Sequence, residues 1–223
     1  MSDQDLSEFL LRACHDLRSP LRSIRAHAES IRKTPNRADL DQRLDFIIDG
    51  AQKIDLLTEG LTRYSIALQT DPALFQVTKT EVILRTALAK LEAEVREHNA
   101  EVTRDELPSV SCNPDRLVQV FENLLQNALR HGGRSSPRIH VNASKQNREW
   151  LFAIRDNGHG IDATYLERVF KPFEGLQTRE RAGAGLGLPI SRVIVERHGG
   201  RLWAESTPET GATFLFTLPA IAQ

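Results

Sequence analysis

His15 and Asp16 are adjacent in "HDLRSPL", and Ser19 follows one helical turn after the histidine. A neutral imidazole nitrogen is a nucleophile, and a carboxylate beside it can hold the tautomer or take the ring proton. A second group sits in "ENLLQNALRH", where Asn123 and Asn127 are four apart and so share a helical face. Two neutral amide oxygens suit a hard cation such as Mg2+ beside a triphosphate, where carboxylates would add negative charge. Arg130 and His131 follow about one turn later and could reach phosphate oxygens. A third group is "DNGHGI". Asp156 offers a carboxylate that accepts from an exocyclic amine such as that of adenine. Gly158 and Gly160 let the backbone turn and come close to a flat ligand. The fourth is "GAGLGLPIS", in which Gly183, Gly185 and Gly187 run into a helix that Pro189 helps to start. Such a loop turns free N–H groups and a positive dipole end toward phosphate.

Each group has a plainer reading. His15 alone reads as a solvated surface histidine. Two asparagines are poor helix formers inside a helix, yet they could simply face water. "DNGHG" alone is an ordinary Asn-Gly turn. The glycine loop lacks the Lys-Ser/Thr of a Walker loop, and no strand leads directly into it. Cys14 could be mistaken for a catalytic thiol, but it also fits as a small bystander at the edge of an apolar seam.

The elements that must position these groups follow from periodicity. From Phe9 to Ile31, Leu10, Ala13, Leu17, Ile24, Ala28 and Ile31 recur at helical steps. His15 falls off that seam and should face solvent. Pro20 removes a backbone donor and clashes with the carbonyl four residues back, which predicts a kink just beyond His15. The helix should end near Lys33, with a turn at "TPNRAD" and Asp39 capping a second helix to about Leu68. These make an antiparallel hairpin. Its stripe stays wet unless a second copy completes a four-helix bundle or the rest of the chain covers it. Asp71-Pro72 marks a hinge.

Beyond the hinge the pattern predicts a strand at 74–78, a helix over 79–98 and two short strands across a turn in "AEVTRDELPSVSC". Asn113 should cap a helix from about Pro114 to His131. A strand hairpin follows at 137–145 and 149–156, then short helices near 162–168 and 188–197, and two closing strands. The fold class is α+β: the helical hairpin, then one sheet with helices on one face.

Length and composition narrow the field. The 223 residues carry a net charge of −1, so bulk basicity gives no case for nucleic acid. No run of about 18 apolar residues exists to span a membrane, and "MSDQDLSEF" is too polar for a signal peptide. The two cysteines, far apart, form no metal spacing or disulfide framework, which fits a reducing, cytoplasmic setting.

Taken together, "HDLRSPL" resembles the phospho-acceptor box of sensor histidine kinases. The order Asn pair, Asp-x-Gly-x-Gly, Phe170 and Phe173, Gly-x-Gly-x-Gly resembles the ATP-binding domain shared by histidine kinases, gyrase-type ATPases and mismatch-repair ATPases. "FEGLQTRE" and "CHDLRSPLR" are most similar to phytochrome-type kinases. The resemblance runs from about Phe9 to Pro219. It implies a dimerisation and phosphotransfer domain over 1–70 and an ATP-binding domain over 74–221. It implies His15 as phospho-acceptor with Asp16 as base or orienter, and Mg2+ on Asn127 and Asn123. It implies nucleotide contacts from Arg130, His131, Asp156, Gly158, Gly160, Gly183, Gly185, Gly187 and Thr213. Arg179 and Arg181 lie in a lid from about Glu174 to Ala184 that would close on the phosphates.

The implied activity is autophosphorylation from ATP and transfer to an aspartate of a response-regulator receiver domain, by a homodimer under a sensor domain or protein. Two departures matter. Asn123 stands where hydrolysing members of the superfamily carry a water-activating glutamate, which suits a kinase. Ser19 replaces the Thr or Asn often found four residues after the histidine, which weakens the case for phosphatase activity. An adaptor that binds ATP without phosphorylating itself, or an ATPase that moves domains, are the competing readings.

Overall fold

The computed structural model describes residues 3–33, 39–132, 136–173, 185–208 and 210–221. Two long helices, α1 (Asp3–Lys33) and α2 (Leu40–Leu68), form the expected hairpin. The helix runs on through Pro20 without interruption, and Pro20 itself is buried. The predicted turn at 34–38 lies outside the described residues. Asp39 occupies the N-cap position of α2, but its side chain makes no cap bond. Its carboxylate lies 3.6 Å from Arg43, one turn into the helix. The two helices pack tightly at Gly50, where an added Cβ would stand 2.7 Å from Ile24 Cγ1. His27 stacks on Phe46 across the hairpin at 4.6 Å.

Two helices cannot bury the whole apolar stripe. Ala13 is buried, but Leu10, Leu21, Leu44, Ile48 and Leu56 are exposed. At one end the stripe is covered by the rest of the chain: Tyr64 and Ala67 join the main core. Phe9 stacks on Tyr64 at 4.8 Å and meets Phe173 at 5.5 Å.

Past a 3-10 turn at Pro72–Leu74, the α/β part holds β1 (Gln76–Lys79), α3 (Thr80–Lys90), α4 (Glu92–Glu97), β2 (Glu101–Arg104) and β3 (Ser109–Cys112). It continues through α5 (Pro114–His131), β4 (Arg138–Gln146), β5 (Glu149–Asp156), α6 (Gly187–Arg197), β6 (Leu202–Ser206) and β7 (Ala212–Pro219). A five-stranded mixed sheet runs β2-β4-β5-β7-β6, and β1 pairs with β3 in a separate two-stranded sheet.

Four expectations are corrected. β2 and β3 do not pair with each other: β2 runs parallel to β4 and β3 antiparallel to β1. Four residues separate them; β2 pairs with the longer β4, and β3 with the equally short β1. The strand expected at 74–78 begins only at Gln76, because Asp71 caps the 3-10 turn by accepting from Ala73 N–H at 2.9 Å. The single helix over 79–98 is two, divided at Leu91, which is buried. The helix at 162–168 is a pair of 3-10 turns, Ala163–Tyr165 and Arg168–Phe170.

The core lies between the sheet and α3, α5 and α6. Phe152 stacks on Phe216 at 4.8 Å, and Phe121 of α5 meets Phe216 edge-on at 5.7 Å. The strong amphipathic period of α5 puts Leu117, Phe121, Leu124, Leu125 and Ala128 into this layer. No helix among the described residues is long and apolar enough to cross a membrane.

His198 pins three elements at the end of α6. Its Nδ1 donates to the Ile194 carbonyl at 2.7 Å, and its Nε2 accepts from Asn113 N–H at 3.0 Å. Phe75, beside the hinge, stacks on the ring at 4.3 Å. Both nitrogens are satisfied only in the neutral form. Burial pushes the imidazole below its ordinary 6.5, partly opposed by the bond to Ile194. Its stabilising contribution is therefore complete above about pH 6.5 and lost as pH falls, because the unfolded chain takes up the proton first. Unfolding by denaturant between pH 5 and 8 should show stability dropping below about pH 6.5. His198→Gln should remove much of that dependence, and an unchanged pH profile in the variant would discount the pin.

Candidate functional site

His15 lies where the helical period puts it. Its side chain is 75% exposed, and Nδ1 stands 3.1 Å from Asp16 Oδ1. A carboxylate accepting from Nδ1–H fixes the tautomer with its lone pair on Nε2, which points away from that contact. Beside the ring is an open cleft of about 290 Å³, lined by Leu11, Arg12, His15, Asp16 and Phe173.

The second centre is assembled from the far side of the chain. Asp156 ends β5 and is 5% exposed. Its Oδ1 accepts from Gly158 N–H at 2.8 Å and from Ala212 N–H at 3.1 Å. This leaves Oδ2 as the acceptor for a ligand. Burial raises the carboxyl above its ordinary 3.8, while the two backbone bonds pull it back. Gly158 is fixed by space: a Cβ there would lie 2.1 Å from the carbonyl oxygen of His131. Gly160 has φ +73° and would put a Cβ 2.3 Å from the Thr207 carbonyl. The turn thus lies against the C-terminal end of α5, where His159 N–H donates to His131 O at 3.3 Å. Arg130 is exposed and His131 half-buried on that helix end. Thr213, half-buried on β7, follows the residue whose N–H binds Asp156.

Asn123 reaches the other side of the same helix. Its Nδ2 donates to Gly187 O at 2.9 Å and to Ser191 Oγ at 3.0 Å, which ties the first turn of α6 to α5. Ser191 Oγ donates in turn to Gly187 O at 3.0 Å. Both amide donors are spent on structure, so only Oδ1 remains for a cation. Asn127 is half-buried and makes no side-chain bond among the described residues. The pair therefore fits Mg2+ as two neutral oxygen donors, with Asn127 the freer of the two. Gly185 has φ +65° at the approach to α6. Arg179, Gly183 and the lid over 174–184 lie outside the described residues.

The structure thus brings Asn123, Asn127, Arg130, His131, Asp156, Gly158, Gly160 and Gly187 around α5. It does not bring His15 among them: its cleft meets the α/β part at Phe173. Ser191, His198 and Ser206 were not singled out from sequence. Ser206 Oγ accepts from Ile161 N–H at 2.8 Å and donates to Gly211 O at 2.8 Å, closing the turn that holds Gly160. A serine inside an apolar helix face was the available signal for Ser191; Ser206 gave none.

Residues 5–67 match the family model of the His Kinase A (phospho-acceptor) domain, and residues 112–222 match that of the histidine kinase-, DNA gyrase B-, and HSP90-like ATPases. The chain belongs to the histidine kinases. This kinase chain is 36% identical over 222 residues to cyanobacterial phytochrome A of Nostoc sp. (strain PCC 7120), covering 98% of the chain and 29% of that protein. It is 33% identical to the alginate biosynthesis sensor protein KinB of Pseudomonas aeruginosa, covering 96% of the chain and 37% of that protein. The chain thus spans about a third of the length of such relatives. The catalytic domain of histidine kinase ThkA superposes with a TM-score of 0.56 at 28% identity, covering 65% of this chain and 95% of that one. Histidine kinase AdeS of Acinetobacter baumannii shares the fold over 93% of this chain and 98% of its own, with a TM-score of 0.69 at 19% identity.

In this histidine kinase, Asp156→Asn keeps an acceptor oxygen for both backbone N–H groups and removes a buried charge. Stability should hold or rise, while affinity for ATP falls about tenfold or more, the scale of a lost charge-assisted hydrogen bond. Calorimetric titration and thermal unfolding of the two proteins measure both, and unchanged affinity would remove Asp156 from the adenine site.

Proposed function

We propose that this chain is the catalytic core of a two-component sensor histidine kinase that phosphorylates His15 from ATP and passes the phosphoryl group to an aspartate of a receiver domain. The observation that carries this reading is the His15–Asp16 pair: Nδ1 is held at 3.1 Å and the ring is open to solvent. Nε2 attacks the γ-phosphorus, the bond from phosphorus to the β,γ-bridging oxygen breaks, and ADP leaves with the electron pair. The Nδ1 proton is stabilised by, or passes to, Asp16. Positioning and charge stabilisation do most of the work in such a transfer.

Residues 1–70 form the phosphotransfer hairpin and residues 74–221 bind the nucleotide in this reading. Asp156 Oδ2 accepts from the adenine amine. Gly158 and Gly160 admit the flat base beside the end of α5. Asn127, with Asn123 Oδ1, holds Mg2+, which neutralises phosphate charge when bound. Arg130, His131, Thr213, Gly185 and Gly187 line the nucleotide, with Arg179 and Gly183 on the closing segment. No glutamate stands at Asn123 to activate water, so bound ATP waits for the imidazole. Since, among the described residues, Phe173 rather than the nucleotide elements borders the His15 cleft, the α/β part moves relative to the hairpin before transfer in this reading.

The wet apolar stripe, with Leu44, Ile48 and Leu56 exposed, supports a homodimer through a four-helix bundle. We assign the receiver domain to the exposed His15 face. A sensor domain or protein supplies the input, and the chain works in the cytoplasm.

Incubation with γ-labelled ATP and Mg2+ should give acid-labile, base-stable label on the protein. His15→Gln should abolish the label while ATP affinity stays within about twofold, because nucleophile and nucleotide sit on separate elements. Free phosphate without labelled protein would favour an ATPase; label surviving in the variant would exclude His15.

A further inference from the structure

Arg12 stands one helical turn before His15, and both line the same cleft. Residues three apart on a helix have their Cβ atoms about 5–6 Å apart on one face. The cleft's wall on the α/β side is Phe173, the residue just before the segment assigned to close over phosphate. A phosphoryl group delivered from that side enters a space where, among the described residues, Asp16 is the negative group.

That carboxylate creates an electrostatic problem. It lies 3.1 Å from Nδ1, so it repels the anionic group that Nε2 must receive. A cation in the same cleft would offset it. Arg12 Nη2 is 2.6 Å from Glu8 Oε1, an exposed i,i+4 pair. Pairs of that kind contribute only about 0.3–0.5 kcal/mol to a helix. The planar fork of the guanidinium suits phosphate oxygens.

We propose that Arg12 is a catalytic residue of the phosphotransfer: its guanidinium binds the equatorial oxygens of the phosphoryl group as it passes from ADP to His15 Nε2. This rests on the kinase reading above. The N–P bond forms as the bond to the bridging oxygen breaks, the electron pair leaves on ADP, and Arg12 keeps its proton throughout. Its charge balances Asp16, so that Asp16 can hold the tautomer without opposing the transfer.

The test measures single-turnover labelling from γ-labelled ATP in wild type, Arg12→Ala, Arg12→Lys and Glu8→Gln. Arg12→Ala should lower the maximal rate on the order of 100-fold with the ATP dependence unmoved, the pattern of an interaction made only in the transition state. Arg12→Lys should recover part of that loss, having the charge without the fork. Glu8→Gln breaks the same ion pair but leaves the guanidinium, so its rate should stay within about twofold of wild type. Equal losses in Arg12→Ala and Glu8→Gln would mean a helix-stabilising pair and overturn the assignment. So would an Arg12→Ala rate within twofold of wild type. Absence of label on the wild-type protein would instead remove the kinase reading, and this inference with it.

Discussion

A carboxylate held almost out of water is the constraint on which the nucleotide-binding part of this fold depends. Asp156 binds the N–H of Gly158 in its own turn and the N–H of Ala212 at the start of β7. Those two bonds join the end of one strand to the beginning of its neighbour and fix the path of the turn between them. Desolvation opposes the ionised form, and the backbone donors offset part of that cost. The turn is closely enclosed: a Cβ added at Gly158 would stand 2.1 Å from the His131 carbonyl oxygen, and one at Gly160 2.3 Å from that of Thr207. The acceptor that remains, Oδ2, is the one the proposed function gives to the nucleotide, and these contacts hold its carboxylate in place. Such preorganisation lowers the ordering cost of binding.

A second set of neutral bonds holds the opposite wall. Asn123 and Ser191 fasten the first turn of α6 to α5, and His198 fastens its last turn to the cap of α5. Helix α6 is thus tied to α5 at both ends, while the segment leading into it carries a glycine with positive φ. The arrangement fixes the N–H groups of the first turn of α6, which the proposed function turns toward phosphate. The hairpin is attached differently. Helix α2 packs against α6, and beside that contact lies a small cluster of rings, Phe9, Tyr64 and Phe173, whose stacking is sensitive to small changes of angle.

Much of this was legible in the sequence. The limits of α2 and α5 and the C-terminal end of α1 were legible close to where they are observed, since strong periodicity and a side-chain cap are local signals; α1 begins at Asp3, six residues before the expected Phe9. The pairing of β2 with β4, and of β3 with β1, was not legible, because four-residue strands carry no record of their partners. The break at Leu91 was hidden for a related reason: a buried leucine continues the apolar pattern of α3 while the backbone turns beneath it. In the site, residue types indicated Asp156, the glycines and the Asn pair. They did not reveal that Asn123 spends both amide protons on α6, since its partners Gly187 and Ser191 are more than sixty residues away. His198 was passed over because a histidine before "GG" reads as a helix end, and its ring contacts arise only from the tertiary fold.

The two cysteines differ in a way that bears on how the kinase can be followed. Cys112 is fully buried on β3, and burial pushes its thiol up to about 11, so it presents almost no thiolate at neutral pH. Cys14 is exposed and adjoins His15. A maleimide dye added to the native chain would therefore attach at one position, directly beside the phospho-acceptor, with no engineering. The fold thus comes with a natural attachment point for a fluorophore that senses what approaches the imidazole.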